Sequence, residues 1–323
     1  MKKVIGFIFG VMTLLSFPLK VSAEASIDFI LDWMPNTNHT GVFVAQEKGY
    51  FEEAGLNVTI QRPSKDSAKD LVGVGKGQFG INFQENLGDA MANGLPVTAV
   101  AAIIDANTSG FISQSDLGID SPKQLENTRF GTWNIPIELA MVEYVMEEAG
   151  ANFDDLKLVP NSGENTIISL VNDQFDSAIV YYAWDGIMAE HQGIDLDFIF
   201  FKDLTEELNF YSPVIIANND YLMDYPEESR AFIQAVKKGY QFAMDHPKEA
   251  ADILIKHAPE LEDERAFIHE SQNWLSQHYA SSPESWGLID EERWNNFFGW
   301  AYEQNLLQKD ISAMKTSTNE FVK

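Results

Sequence analysis

The run Ile27-Asp28-Phe29-Ile30-Leu31, followed by the polar stretch Asp32 to His39 and then by Thr40 to Lys48, is the part of the chain that decides its architecture. Ile27 to Leu31 reads as a strand. Thr40 to Lys48 reads as a helix, with Gly49 standing where a helix stops. Leu56 to Ile60 reads as strand again. This alternation continues with helix at Lys65 to Lys76, strand at Phe79 to Phe83, helix at Leu87 to Asn93 and strand at Val97 to Ile104. Strands separated by helices of this length predict βαβ units and a mostly parallel sheet.

The second stretch repeats the style. Phe130 to Thr132, Leu156 to Pro160, Ser177 to Val180, Asp197 to Phe200 and Val214 to Ala217 read as strands, and Pro136 to Ala149 as a helix with proline at its start and Gly150 after its end. Beyond Pro226 the chain turns helical over Glu227 to Met244, Pro247 to His257, Asp263 to His278 and Asp290 to Gln304. No linker rich in Pro, Gly or Ser separates the two halves. Two lobes without a tether are expected to be joined by crossing segments, for which Asn107 to Phe111 and Phe210 to Pro213 are the candidates. The organisation expected is a lobe over 24–110 and 214–323 and a second over 111–213, hinged around a cleft.

Composition narrows the function. The chain has 323 residues, 49 acidic against 22 basic, and a formal net charge of −27. Such a surface repels phosphate backbones and anionic headgroups, so nucleic acid and direct membrane binding are not expected. With no cysteine there is no thiol catalysis, no disulfide and no lipid-bearing cysteine. Met1-Lys2-Lys3, the apolar run Val4 to Phe17 and the small residues Val21-Ser22-Ala23 read as a signal peptide over residues 1–23. The run is short for a membrane span, which takes ~20 apolar residues.

Ligands of open α/β sheets sit beyond the carboxyl ends of strands, and four strand ends here carry aromatic and polar residues together. The first has Trp33, Asn38 and His39, suited to stacking and hydrogen bonding; its Asn36, Thr37 and Asn38 read equally well as a helix cap. The second has Phe83, Gln84 and Glu85, which also suits ordinary helix entry. The third is Trp133-Asn134. The fourth is Tyr181-Tyr182-Ala183-Trp184-Asp185, whose candidates are Tyr182, Trp184 and Asp185. Tyr211, in the second crossing, completes the set. Together they predict a planar, nitrogen-rich ligand held between rings, with Asp185 or Glu85 on an amino group.

Trp274, Trp286, Trp294 and Trp300 lie among apolar neighbours in the helical region and read as packing. The histidines show no metal-ligand spacing. Val72-Gly73-Val74-Gly75-Lys76-Gly77 sits between a helix and a strand, the wrong order for a phosphate loop. No Gly-x-Ser-x-Gly elbow is present. No catalytic set, metal or cofactor is expected from these residues.

Leu31-Asp32-Trp33-Met34-Pro35-Asn36-Thr37-Asn38-His39-Thr40-Gly41, Ala45-Gln46-Glu47-Lys48-Gly49-Tyr50-Phe51, Ala54-Gly55-Leu56, Gly94-Leu95-Pro96-Val97 and Ile215-Ile216-Ala217-Asn218-Asn219 give the chain a resemblance to a known group. It resembles the NMT1/THI5-like periplasmic solute-binding proteins, which take up thiamine precursors. The resemblance implies a type II periplasmic-binding-protein fold, two Rossmann-like α/β lobes with two crossings. It implies a monomeric receptor, exported and periplasmic or extracellular, that binds an aminopyrimidine of the formylaminopyrimidine or hydroxymethylpyrimidine type. It further implies delivery to the permease of an ABC importer. Trp33 falls on the pocket tryptophan of the family motif. Asp185 falls where a glutamate that binds the pyrimidine amine is expected, one methylene shorter. Relatives that bind flavins, taurine or alkanesulfonates leave other ligands open, although no Arg or Lys occurs in the four clusters. The family also contains a fungal pyrimidine synthase that consumes an active-site histidine and carries a cysteine cluster. Here that histidine position falls near Asn86 and cysteine is absent, so a binding protein and not an enzyme is expected.

Overall fold

The computed structural model describes residues 25–62, 65–161 and 165–323; the expected signal peptide lies outside them. The chain begins with Ala25–Ile30 (β1), Thr40–Glu47 (α1), Tyr50–Glu53 (α2), Leu56–Gln61 (β2), Ala68–Gly73 (α3), Phe79–Asn82 (β3), Gly88–Ala92 (α4) and Val97–Ala102 (β4). It crosses into a second lobe made of Ser109–Gln114 (β5), Arg129–Thr132 (β6), Pro136–Glu148 (α5), Lys157–Pro160 (β7), Thr166–Val171 (α6), Ser177–Tyr181 (β8), Ile187–His191 (α7) and Leu196–Phe200 (β9). It then returns with Val214–Asn218 (β10), Asn219–Asp224 (α8), Pro226–Asp245 (α9), Pro247–His257 (α10), Arg265–Ser276 (α11) and Glu291–Glu303 (α12). Among the described residues no helix is long and apolar enough to cross a membrane.

Two five-stranded sheets result, in the orders β2-β1-β3-β10-β4 and β7-β6-β8-β5-β9. Four strands of each sheet point one way. The strand that has just arrived from the other lobe, β10 or β5, points the other way and pairs antiparallel on both sides. The geometry leaves no choice: a strand entering from the cleft starts where its neighbours finish. The carboxyl ends of the remaining strands therefore face the cleft in both lobes. This is the expected two-lobed periplasmic-binding-protein architecture. Sequence reading treated Asn107 to Phe111 as a bare crossing, whereas Ser109 onward is a full buried strand. It also passed over α6 and α7, each too short to show a helical period.

The crossings carry peptide groups through the middle of the molecule, and buried amides satisfy them. Asn107 is fully buried. Its side chain donates to the Leu208 carbonyl at 2.8 Å and accepts from the Ser109 N–H at 2.9 Å and hydroxyl at 2.7 Å. Asn209 accepts in turn from the Asn107 N–H. Gln84 braces the second crossing: its carbonyl oxygen accepts from Tyr211 N–H at 2.8 Å, and its amide donates to the Trp294 carbonyl at 2.9 Å. Arg293 of α12 lies 3.7 Å from the Tyr211 ring centre and donates to the Asp105 carbonyl of the first crossing. One helix thus holds both strands of the hinge.

The larger core of the first lobe forms where α9 lays Phe232, Ile233, Val236, Tyr240 and Ala243 against β1, β3 and α1. Phe232, Ile233 and Val236 each contribute roughly 1.5–3 kcal/mol on full burial. Trp286, Trp294 and Trp300 are buried, as packing residues. The closest approach is at Gly239, where an added Cβ would stand 1.9 Å from the Gly41 carbonyl oxygen of α1. Backbone cannot yield as a flexible side-chain tip can. Gly239→Ala is therefore expected to lower stability by about 3 kcal/mol, at the upper end for overpacking. Urea unfolding checks this: a midpoint equal to the parent's would mean the two helices are not in contact.

Candidate functional site

Between the lobes lies a cavity of about 430 Å³, within the ~300–1,000 Å³ range of small-molecule sites. Its first wall comes from the loop after β1, with Asp32, Trp33, Asn36, Thr37 and Asn38, and from Phe83 after β3. The second lobe supplies Trp133 after β6, Asn165, Thr166 and Ile167 at the start of α6, and Tyr181, Ala183, Trp184, Asp185 and Met188 from the end of β8 into α7. Thr108 of the first crossing forms the floor.

The β1 loop is held by a chain of hydrogen bonds that ends on a carboxylate. Asn36 Oδ1 accepts from Asn38 N–H at 2.8 Å, closing the cap. The Asn36 N–H donates to His39 Nδ1 at 3.2 Å, so the imidazole proton sits on Nε2 and points at Asp32 Oδ1, 2.7 Å away. His39 is fully buried behind Asp32. From beneath, the hydroxyls of Tyr279 and Tyr240 donate to the Thr37 and Asn38 carbonyls, both at 2.6 Å. A loop so tied down leaves Trp33 projecting, 54% exposed.

Trp133 is presented by a similar device. Glu138, in the first turn of α5, accepts from the Thr132 hydroxyl at 2.6 Å and the Trp133 N–H at 3.0 Å. Asn134 turns the chain at φ +57°, a conformation asparagine tolerates. Across the cleft Trp33 meets Trp184 edge-on, with centroids 6.3 Å apart, and Phe83 stacks on Tyr181 at 5.5 Å. The walls are rings in both lobes.

Charge in the site is negative. Asp32 and Asp185 line it, and Lys and Arg are absent from its described lining residues. Burial pushes the Asp185 carboxyl up to about 6. Behind Tyr181, Glu85 accepts that tyrosine's hydroxyl at 2.8 Å, with Ser212 beside the pair, and burial pushes Glu85 up to about 7. A cavity of rings and poorly solvated carboxylates favours a flat ligand bearing hydrogen-bond donors or positive charge.

Of the residues read from sequence, Trp33, Asn38, Phe83, Trp133, Trp184 and Asp185 line this cavity. Four do not. His39 is turned inward to Asp32, and Gln84 and Tyr211 belong to the hinge. Tyr182 faces away because consecutive residues leave a strand on opposite sides; its ring packs on Phe198, Phe200 and Trp274. Tyr181 takes the place expected of it. Glu85 sits one residue behind the wall. Asp32, Asn36 and Thr37 stand in the quoted motif, where Asn36 and Thr37 read equally well as caps and Asp32 has no assigned role. Asn165 to Ile167 were missed altogether, although they follow β7 and open with an asparagine cap, whose side chain accepts from Ile168 N–H at 3.0 Å.

Comparison with known proteins extends this picture. The chain is 25% identical to the formylaminopyrimidine-binding protein of Halalkalibacterium halodurans over 96% of each chain. It is 27% identical to a 4-amino-5-hydroxymethyl-2-methylpyrimidine phosphate synthase of Saccharomyces cerevisiae, over 92% of this chain and 87% of that one. The alkanesulfonate-binding protein SsuA of Xanthomonas axonopodis, solved with MOPS, shares the fold with a TM-score of 0.68 at 12% identity, covering 92% of this chain and 99% of that one. The synthase relatives correct one expectation. Missing cysteines and Asn86 in the histidine's place made an enzyme unexpected, but relatives named as synthases match between 74% and 92% of the chain. Those departures do not separate the two kinds. The family model described as NMT1/THI5 like matches residues 36–250, and the chain belongs to that family.

Proposed function

We propose that the chain is an exported receptor that encloses a flat, amine-bearing heterocycle, an aminopyrimidine of the thiamine-precursor type, and hands it as a monomer to an ABC permease. One observation carries the reading: rings on both walls of the cavity, two carboxylates among them, and no cationic side chain among the described lining residues. A pyrimidine ring stacked between aromatic side chains gains ~0.5–1.5 kcal/mol per pair beyond its buried area. Its amino group supplies a donor to Asp185, and Asp32, already bonded to His39, faces the same cavity. A sulfonate would meet those carboxylates with nothing to offset the repulsion. The residues read as a signal peptide support export, and the formylaminopyrimidine-binding relative supports the ligand class.

A second reading, synthesis of the pyrimidine instead of its capture, draws support from the relatives named as synthases. Recovery of the compound after incubation separates the two. Capture returns it unchanged, and synthesis yields a pyrimidine that was not added.

Calorimetry tests the leading reading. Formylaminopyrimidine or hydroxymethylpyrimidine is expected to bind with a sizeable exothermic heat, and MOPS to give none. Trp33→Ala is expected to weaken binding about 100-fold, equal to ~2.7 kcal/mol, and Asp185→Asn about 10-fold. Heat with the sulfonate and none with either pyrimidine would sink the assignment.

Asp185 also sets a pH dependence. Its carboxyl rises from 3.8 unfolded to about 6 folded, so its ionised form is disfavoured by folding. A raised carboxyl adds stability below about pH 4 and loses it as pH climbs through 6. Ligand-free Asp185→Asn should therefore melt higher than the parent at pH 7, with the gap closing by pH 4. A gap that stays constant over this range would show that Asp185 is not buried in its charged form.

A further inference from the structure

Helix α11 turns one face to the second lobe. Phe267, Glu270, Ser271 and Trp274 fall at spacings of three, one and three, a single helical stripe. Each touches the segment from Tyr182 to His191. The Phe267 ring meets Trp184 edge-on at 4.8 Å, Glu270 accepts from His191 Nδ1 at 2.9 Å, and the Trp274 ring lies 5.2 Å from Tyr182. Ser271 donates to the Ala183 carbonyl at 2.5 Å. That same segment carries Ala183, Trp184, Asp185 and Met188 into the cavity. Its first turn, Tyr182–Gly186, is a π-helix, a local widening found often at functional sites.

The hydrogens at Ser271 can be assigned. A carbonyl only accepts, so the single Ser271 proton goes to Ala183. The 2.7 Å contact between Ser271 and Thr37 hydroxyls must then run from Thr37 to Ser271. Thr37 belongs to the cavity wall of the first lobe and Ala183 to that of the second. A directed chain, Thr37 to Ser271 to Ala183, thus fastens one wall to the other through a residue outside the cavity. All three residues are buried, so none of these groups can turn to water while the lobes are together.

We propose that this face of α11 is a clasp that holds the closed lobes, and that Ser271 is the positioning residue at its centre. The proposal rests on the reading of the chain as a ligand-enclosing receptor and adds how closure is held. With the lobes apart, water can serve Ser271 and the Ala183 carbonyl. With them together, Ser271 serves that carbonyl in place of water. The clasp contributes to the closed state alone, so its loss should act on ligand release and leave ligand entry unchanged.

The absence of native cysteine allows a clean test. Spin labels on Glu52→Cys in one lobe and Asp154→Cys in the other, both exposed positions, report the distance between lobes. In Ser271→Ala the distribution is expected to shift toward longer distances, both without ligand and with hydroxymethylpyrimidine. The dissociation rate of that ligand should rise about 10-fold, the order expected for a buried carbonyl left unsatisfied, at an unchanged association rate. Ser271→Thr keeps the hydroxyl and should restore the parent's behaviour. Trp274→Leu, on the partly exposed edge of the face, should shift the distances in the same direction and serves if Ser271→Ala does not fold. Distances and release rates equal to the parent's in Ser271→Ala, or in Trp274→Leu if the alanine variant does not fold, would overturn the clasp. Should the parent bind no aminopyrimidine, the ligand reading fails on its own, and the ligand-free distances still decide the clasp.

Discussion

The buried backbone of the two crossings is the constraint on which the rest depends. A peptide group in the middle of a protein must find its partner there, and here side-chain amides provide it. Asn107 ties the first crossing to Leu208 and Ser109, and Gln84 ties the second to β3 and α12. Both amides have donor and acceptor engaged, so neither crossing can slide against its brace without breaking hydrogen bonds. Arg293 spans the pair. The two crossings are thereby fixed against each other, and the strand ends on either side face one another in a set geometry.

Within that geometry the site spends stability on function. Asp185 and Glu85 are held where burial disfavours their charge, and both rise in pKa as a result. Asp32, by contrast, receives a proton donor from His39, whose own tautomer is fixed by a backbone N–H. Asp32 takes its donor from His39 and Glu85 takes one from Tyr181, while Asp185 faces the cavity.

The fold was legible in the chain because its period is strong: short apolar runs of three to eight residues, most of them followed by a helix. β5 was obscured because a strand that also crosses between lobes carries Asn107, Thr108 and Ser109 at its start and reads as a loop. Short helices such as α6 have too few residues to show a face. In the site, aromatic residues at strand ends were visible, but the side of the strand they leave from was not, and Tyr181 and Tyr182 exchanged places for that reason. His39 shows the remaining gap. Residue type and position both spoke for ligand contact, and only the hydrogen bond from Asn36 reveals that it serves Asp32 instead.

The antiparallel β10 has a further consequence, in time and not in space. It lies between β3 and β4, so the first lobe's sheet is left with a strand-wide slot until residues 214–218 exist. The second lobe's five strands are contiguous, from Ser109 to Phe200. Even β4 finds its outer cover late, in Thr316 and Thr318 near the last residue. A chain made from its amino end therefore assembles its middle first and its beginning last. Residues 25–102 wait, without a finished sheet, for the final strand and helices to be delivered.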